Sequence, residues 1–172
     1  PLSLQPAGSR FAPGHYCPGC AYQCSAYEEE ISFKQAQLRD FLSRTCGINP
    51  EELLQAPVPS PLPLGYRNKI VLHSDGKTMG YFAEDNRTLL KVDRCQLAHD
   101  EINEKLAFLQ QNTIFMRGAF PGMELSLRRS SRGKSYFWFG HGPPPRNRML
   151  REKTAAGELL VPIASFFQIN IH

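Results

Sequence analysis

The stretch Tyr66-Arg67-Asn68-Lys69-Ile70-Val71-Leu72-His73-Ser74-Asp75-Gly76-Lys77-Thr78-Met79-Gly80-Tyr81-Phe82-Ala83-Glu84 decides the fold class. Two runs with strand character, 66–73 and 78–84, flank Asp75-Gly76, a strong signal for a tight hairpin. Asp85-Asn86 makes a second turn into 88–93, so the segment reads as a three-strand antiparallel meander. Beyond it, 99–111 sets Ile102, Leu106 and Leu109 on one face of a helix. Strands at 123–129 and 135–139 follow, joined by the basic turn Ser130-Ser131-Arg132-Gly133-Lys134. The run Tyr136-Phe137-Trp138-Phe139 is apolar on both faces, which predicts a strand central in its sheet or covered by a partner domain.

Working back from the meander, Ala56-Pro57-Val58-Pro59-Ser60-Pro61-Leu62-Pro63 is a stiff extended connector through which no helix can run. Before it lies a helix over 27–44, opened by Ser25 and Glu28 at capping-box spacing. Tyr27, Ile31, Leu38, Phe41 and Leu42 form its apolar stripe. Lys34 falls inside the stripe, either snorkelling at its edge or directing an ammonium at a buried anion or phosphate. Cys46-Gly47 reads as the helix stop, and Asn49 as the cap of a short second turn. Gly142-Pro143-Pro144-Pro145 is a second break. The expected organisation is a cysteine-bearing helical segment (1–55), the connector (56–64), a β-rich central domain with a second helix (65–164) and a short junction (165–172). Together these make an α+β fold with two main helices.

Length and composition set the outer limits. The 172 residues carry a formal charge of +4 with 41% hydrophobic residues, which excludes an acidic disordered chain. No apolar run approaches the roughly 20 residues needed to span a bilayer, and residues 1–11 contain no apolar signal core. The expected setting is cytoplasmic, without a membrane. The charge is uneven: 117–153 hold nine basic side chains against Glu124 and Glu152 alone. Such clustering is the footprint of a surface that meets phosphates, with a solvated basic face as the alternative.

Five cysteines, three of them within Cys17-Pro18-Gly19-Cys20-Ala21-Tyr22-Gln23-Cys24, argue against a secreted disulfide scaffold. A Pro-Gly turn can aim two thiolates at one metal ion, Cys24 near the helix start can add a third, and Cys95 is a candidate distant fourth. Four thiolates suit an iron–sulfur cluster or a structural zinc; His15 is a nitrogen alternative that tilts the site towards zinc, and Cys46 stands apart.

Four separated segments resemble the bacterial RNA uracil-5 methyltransferases, in particular the ribosomal-RNA branch that carries a 4Fe–4S cluster. They are Cys17-Pro18-Gly19-Cys20 with its following helix; Leu64-Gly65-Tyr66-Arg67-Asn68-Lys69; Gly80-Tyr81-Phe82 with Lys91-Val92-Asp93-Arg94-Cys95; and Ser165-Phe166-Phe167-Gln168-Ile169-Asn170. One departure is Phe11, where the family pattern has a further cysteine, so Cys24 stands in for it or the cluster is altered. The family's N-terminal oligonucleotide-binding-type β-barrel is expected to be absent from these residues, which begin just before the cysteines. The resemblance implies that the S-adenosylmethionine-binding Rossmann-like domain, with its nucleophilic cysteine and base, follows Asn170. These 172 residues alone are then not expected to methylate. Phe166 and Gln168 would line the pocket for a flipped uridine and the methyl end of S-adenosylmethionine, and Cys17, Cys20, Cys24 and Cys95 would hold the cluster.

The residues themselves point the same way for RNA. Arg67 and Lys69 share a strand face and suit phosphates, Asn68 suits a base edge, and Arg128, Arg129, Arg132 and Lys134 on the hairpin suit the backbone. Tyr136 or Trp138 is a candidate for base stacking, with core packing as the alternative. The expected function is therefore the RNA-recognition and iron–sulfur part of an enzyme that makes 5-methyluridine in RNA, in particular ribosomal RNA. It is partnered by that RNA and by its own methyltransferase domain. A non-catalytic zinc or iron–sulfur RNA-binding module, or a metal-free interaction domain, are the alternatives.

Overall fold

Two aspartates fold the meander by the same local device. Asp75 Oδ1 accepts from the backbone N–H of Lys77 (2.8 Å) and Thr78 (2.7 Å). Asp85 Oδ1 likewise accepts from Arg87 (2.9 Å) and Thr88 (2.8 Å). Each Asp-x-x-Thr stretch thus satisfies its own turn donors before any strand pairs. Gly76 and Asn86 supply the positive φ, 90° and 54°, that these turns need. The same hydrogen bonds hold the Asp75 carboxyl below the usual carboxylate range.

The computed structural model describes residues 17–19, 21–23, 25–140, 148–154, 156–165 and 167. The helices are α1 (Tyr27–Cys46), α2 (Asp100–Gln111) and α3 (Thr113–Arg117). The strands are β1 (Lys69–Asp75), β2 (Met79–Phe82), β3 (Leu89–Lys91), β4 (Pro121–Arg129), β5 (Ser135–Phe139), β6 (Met149–Thr154) and β7 (Gly157–Pro162). β1–β5 form one sheet in the order β3-β2-β1-β4-β5, and β6-β7 is a separate hairpin; every strand pair is antiparallel. The fold is α+β, as the sequence predicts. No described helix is long and apolar enough to cross a membrane.

Ile70 and Leu72 of β1 and Met123, Leu125 and Leu127 of β4 pack against Ile102, Leu106 and Leu109 of α2, which lie on the helix face expected from their spacing. β2 and β3 approach unusually closely: a Cβ on Gly80 would lie 1.9 Å from the Leu90 carbonyl oxygen. Only glycine fits there.

The opposite face of the sheet holds a buried cation. The Arg128 and Glu152 side chains are 1% and 2% exposed. Arg128 Nη1 donates to the carbonyls of Pro162 (3.2 Å), Ile163 (2.8 Å) and Ser165 (2.8 Å), and Nη2 to Glu152 Oε1 (3.4 Å). The other Glu152 oxygen accepts from Ser131 N–H at 2.7 Å. Lys69, opposite Arg128 in the β1–β4 register, donates to Ala164 O at 3.2 Å and lies over the Trp138 ring. Two cations of the sheet therefore hold four consecutive carbonyls, 162–165. Burial, then the neighbouring Arg128, pulls the Lys69 ammonium below its ordinary range; burial does the same to Arg128, offset by Glu152. Trp138, Leu150 and Ile163 close the small apolar cluster around this bridge.

Several expectations shift. Asn49 does cap a short turn, Pro50–Glu52, and Gly47 ends α1 at φ 64°. The first strand begins at Lys69, because Arg67 makes only an isolated bridge to Ala98. The α1 cap is Ala26, whose N–H is held by Glu29, not Ser25 with Glu28. α1 buries no residue, and Leu38 and Phe41 are 46% and 53% exposed. Amphipathic spacing marks a face but does not supply something to cover it. β5 is an edge strand rather than a central one: its Trp138 face is covered by β6-β7, while Phe137 and Phe139 remain about half exposed beside Phe115 of α3. Neither α3 nor the β6-β7 hairpin is foreseen from sequence. The second proline break lies outside the described residues, apart from Gly140 before it and Arg148 after it.

Two substitutions test these contacts by denaturant titration. Gly80→Ala is expected to lower stability by about 2–3 kcal/mol, since β3 must move aside. Glu152→Ala leaves Arg128 buried without its counter-charge and is expected to cost about 3 kcal/mol or more.

Candidate functional site

A cavity of about 630 Å³ lies where the segment before α1, the start of α1, residues 60–67 and the loop after β3 meet. The Cys95 loop on one side of it is held by Asn103, buried on the core side of α2. Asn103 Oδ1 accepts from Cys95 N–H (2.8 Å) and its Nδ2 donates to the carbonyls of Cys95 (3.1 Å) and Ala98 (3.2 Å). One side chain thus fixes the Cys95 loop against the helix. Cys95 is buried, and with Cys17 it lines the cavity. Two of the four expected metal-ligating thiols, 78 positions apart, therefore open onto one space. Cys20 and Cys24 lie outside the described residues, as do His15 and Phe11. Among the described residues no three Cys, His, Asp or Glu side chains gather as a metal-binding group. Cys46 is exposed at the end of α1 and is not among the residues lining the cavity.

Polar groups surround the thiols. The Tyr81 hydroxyl and Arg67 Nε are buried and lack a hydrogen-bond partner among the described residues. Burial raises the Tyr81 phenol well above its ordinary range, and the Cys95 thiol reinforces the shift. A Cβ on Gly19 would sit 3.7 Å from Cys17 Sγ and 3.9 Å from Arg67 Nη1, so the bare glycine leaves the space between thiol and guanidinium open. Lys34 also reaches the cavity but is paired with Glu30, which raises its ammonium, and lies over the Tyr22 ring. The connector is tied in at Tyr27, whose hydroxyl accepts from Ser60 N–H at 2.7 Å.

The structure sorts the candidate RNA contacts into three groups. Arg67 turns to the cysteine cavity, whereas Lys69, two residues on, faces the β6-β7 side. Asn68 is buried at 7% exposure, with its backbone carbonyl accepting from Arg129 N–H. Arg128 is sealed beneath the hairpin and cannot meet phosphate. Arg129 points to the other face and pairs with Glu101 of α2 at 2.8 Å, helping to hold that carboxyl below its usual range. Arg132 and Lys134 are exposed. Arg132 and Arg151 of β6 flank Glu158 at 2.6 Å each, which holds its carboxyl low, Arg151 first. Lys134 and Arg148 both contact the half-buried Tyr136 ring. Trp138 is a core residue, 9% exposed. Phe166 and Gln168 lie outside the described residues.

Sequence reasoning missed Asn103, Tyr81 and Glu152. Asn103 had a signal, a polar residue beside Ile102 on the core side of α2. Glu152 had a weaker one, as one of only two acids in the basic segment 117–153.

No protein-family model matches the chain. It is 28% identical over 116 residues to an uncharacterized RNA methyltransferase of Thermosynechococcus vestitus, covering 63% of this chain and 26% of that protein. It is 33% identical over 122 residues, with the same coverage, to the 23S rRNA (uracil(1939)-C(5))-methyltransferase RlmD of Legionella pneumophila. The match thus spans about a quarter of the length of these curated relatives. In fold the chain is similar to a tRNA (uracil-54, C5)-methyltransferase of Pyrococcus abyssi in complex with S-adenosyl-L-homocysteine. That likeness has a TM-score of 0.63 at 21% identity and covers 92% of this chain and 48% of the other. Over about 60% of its length, the chain is a distant homologue of the RNA uracil-5 methyltransferases.

Proposed function

We propose that the chain is the RNA-recognition and iron–sulfur part of an S-adenosylmethionine-dependent RNA uracil-5 methyltransferase acting in the cytoplasm, with ribosomal RNA as the substrate class. The observation that carries the reading is the meeting of Cys17 and Cys95 at one cavity in a chain homologous to such enzymes. Two thiols that can ligate metal, with a buried guanidinium nitrogen and a buried hydroxyl beside them as hydrogen-bond donors, line the same space and support this reading. Cys17, Cys20, Cys24 and Cys95 would hold a 4Fe–4S cluster, which when bound ties the segment before α1 to the sheet.

The exposed cations of the β4-β5 turn and of β6, Arg132, Lys134, Arg151 and Lys153, form the phosphate-facing surface in this reading. Arg128 and Lys69 serve it indirectly, by fixing residues 162–165, which precede Phe166 and Gln168 in sequence. Those two residues would line the uridine pocket and the methyl end of the cofactor. Methyl transfer itself needs a nucleophile at C6 of uracil and a base at C5, which the reading assigns to the methyltransferase domain of the full-length enzyme.

Two measurements test it. Anaerobically purified protein is expected to be brown with about four irons per chain. Colourless protein with one zinc supports the non-catalytic module instead, and metal-free, well-folded protein removes both metal readings. Binding to ribosomal RNA is expected to weaken steeply with salt, and Arg132→Ala with Lys134→Ala to reduce the log–log salt slope by about two. Salt-insensitive or absent binding overturns the RNA reading.

A further inference from the structure

A buried polar atom without a partner costs roughly 1–3 kcal/mol, so two of them at one cavity call for a physical reason. Arg67 Nε and the Tyr81 hydroxyl are such atoms. Both residues line the cavity shared by Cys17 and Cys95. Both are hydrogen-bond donors, and the guanidinium has no acceptor capacity at all. The cavity's one described carboxylate, Glu30, is already paired with Lys34, and Arg94 is paired with Asp100. Arg67 makes no ion pair among the described residues. Among the described residues the space therefore lacks an unpaired acceptor with negative charge, beside thiols that become anionic when they ligate metal.

The main chain holds Arg67 independently of its side chain. Its N–H donates to Leu97 O at 2.6 Å and its carbonyl accepts from His99 N–H at 3.0 Å. Those bonds bracket the Cys95 loop, so the guanidinium and that thiol are carried on paired backbone. Arg67 Nη1 and Cys17 Sγ both border Gly19, each within 4 Å of where its Cβ would stand.

Building on the iron–sulfur reading proposed above, we infer that Arg67 and Tyr81 are positioning residues for the cluster's sulfur. The Arg67 N–H groups and the Tyr81 O–H donate to thiolate or sulfide sulfur and offset its charge. Donors to sulfur favour the more negative, reduced state of a cluster, and partners of the ligands govern how tightly metal is kept. This removes Arg67 from the RNA-contacting set and gives its side chain an interior ligand.

The test uses the purified 172-residue protein with its cluster, and the variants Tyr81→Phe, Arg67→Met and Arg67→Lys. Tyr81→Phe deletes a single oxygen, and Arg67→Lys keeps the charge while losing the planar fork. Iron release to a chelator is expected to accelerate about ten-fold in Tyr81→Phe and Arg67→Met, with partial recovery in Arg67→Lys. The midpoint potential, followed by electron paramagnetic resonance during reductive titration, is expected to fall in the first two. A brown wild type whose variants keep its potential and its iron release overturns this inference alone. A wild type without iron overturns the iron–sulfur reading and this inference together.

Discussion

The buried guanidinium of Arg128 is the constraint on which the C-terminal half of the structure depends. A cation with 1% exposure is costly unless its charge and every donor are met. Here Glu152 answers the charge at Nη2 and the carbonyls of Pro162, Ile163 and Ser165 take Nη1, which leaves Nε without a partner among the described residues. Because those partners come from β6 and from the stretch after β7, the requirement of one strand residue fixes where the hairpin sits. The apolar contribution at this junction is small, essentially Trp138, Leu150 and Ile163 with Tyr136 and Ala164 beside them. Polar satisfaction, more than area, sets the geometry.

The Cys95 loop, beside the same start of β1, follows the same logic with a different donor. Asn103 closes the Cys95 loop as Arg128 closes the 162–165 stretch, each a single polar side chain holding several main-chain groups. Between them runs the lead-in to β1, with Arg67 facing the thiols and Lys69 facing the exit segment. The cavity and the junction are therefore built on residues two positions apart, Arg67 just ahead of β1 and Lys69 at its first position.

What could be read from sequence divides along the same line. The meander was legible because Asp75 and Asp85 satisfy their turns within four residues, and α2 because Ile102, Leu106 and Leu109 have nothing else to face. The convergence of Cys17 and Cys95 was legible as a candidate ligand set and through resemblance, since no local rule joins positions so far apart. The fate of the arginines was not legible at all. Arg128 and Arg129 are adjacent and chemically identical, yet strand alternation sends one under the hairpin and the other to Glu101. Whether a strand cation meets water or a counter-charge depends on an element some twenty residues later, about which period-two patterning is silent. The exposed stripe of α1 shows the converse: a legible apolar face that nothing described here covers.

The sheet order β3-β2-β1-β4-β5 has a kinetic consequence. Its first three strands meet through tight turns, and so do its last two, but β1 and β4 can pair only after the chain between them has looped through α2 and α3. The entropy of that closure falls on a single event, the docking of a β4-β5 ribbon against a preformed meander. Arg128 is delivered to its partners in the same event. The rate at which the molecule reaches its native state should therefore be governed by loop closure rather than by the turns that first announce the fold.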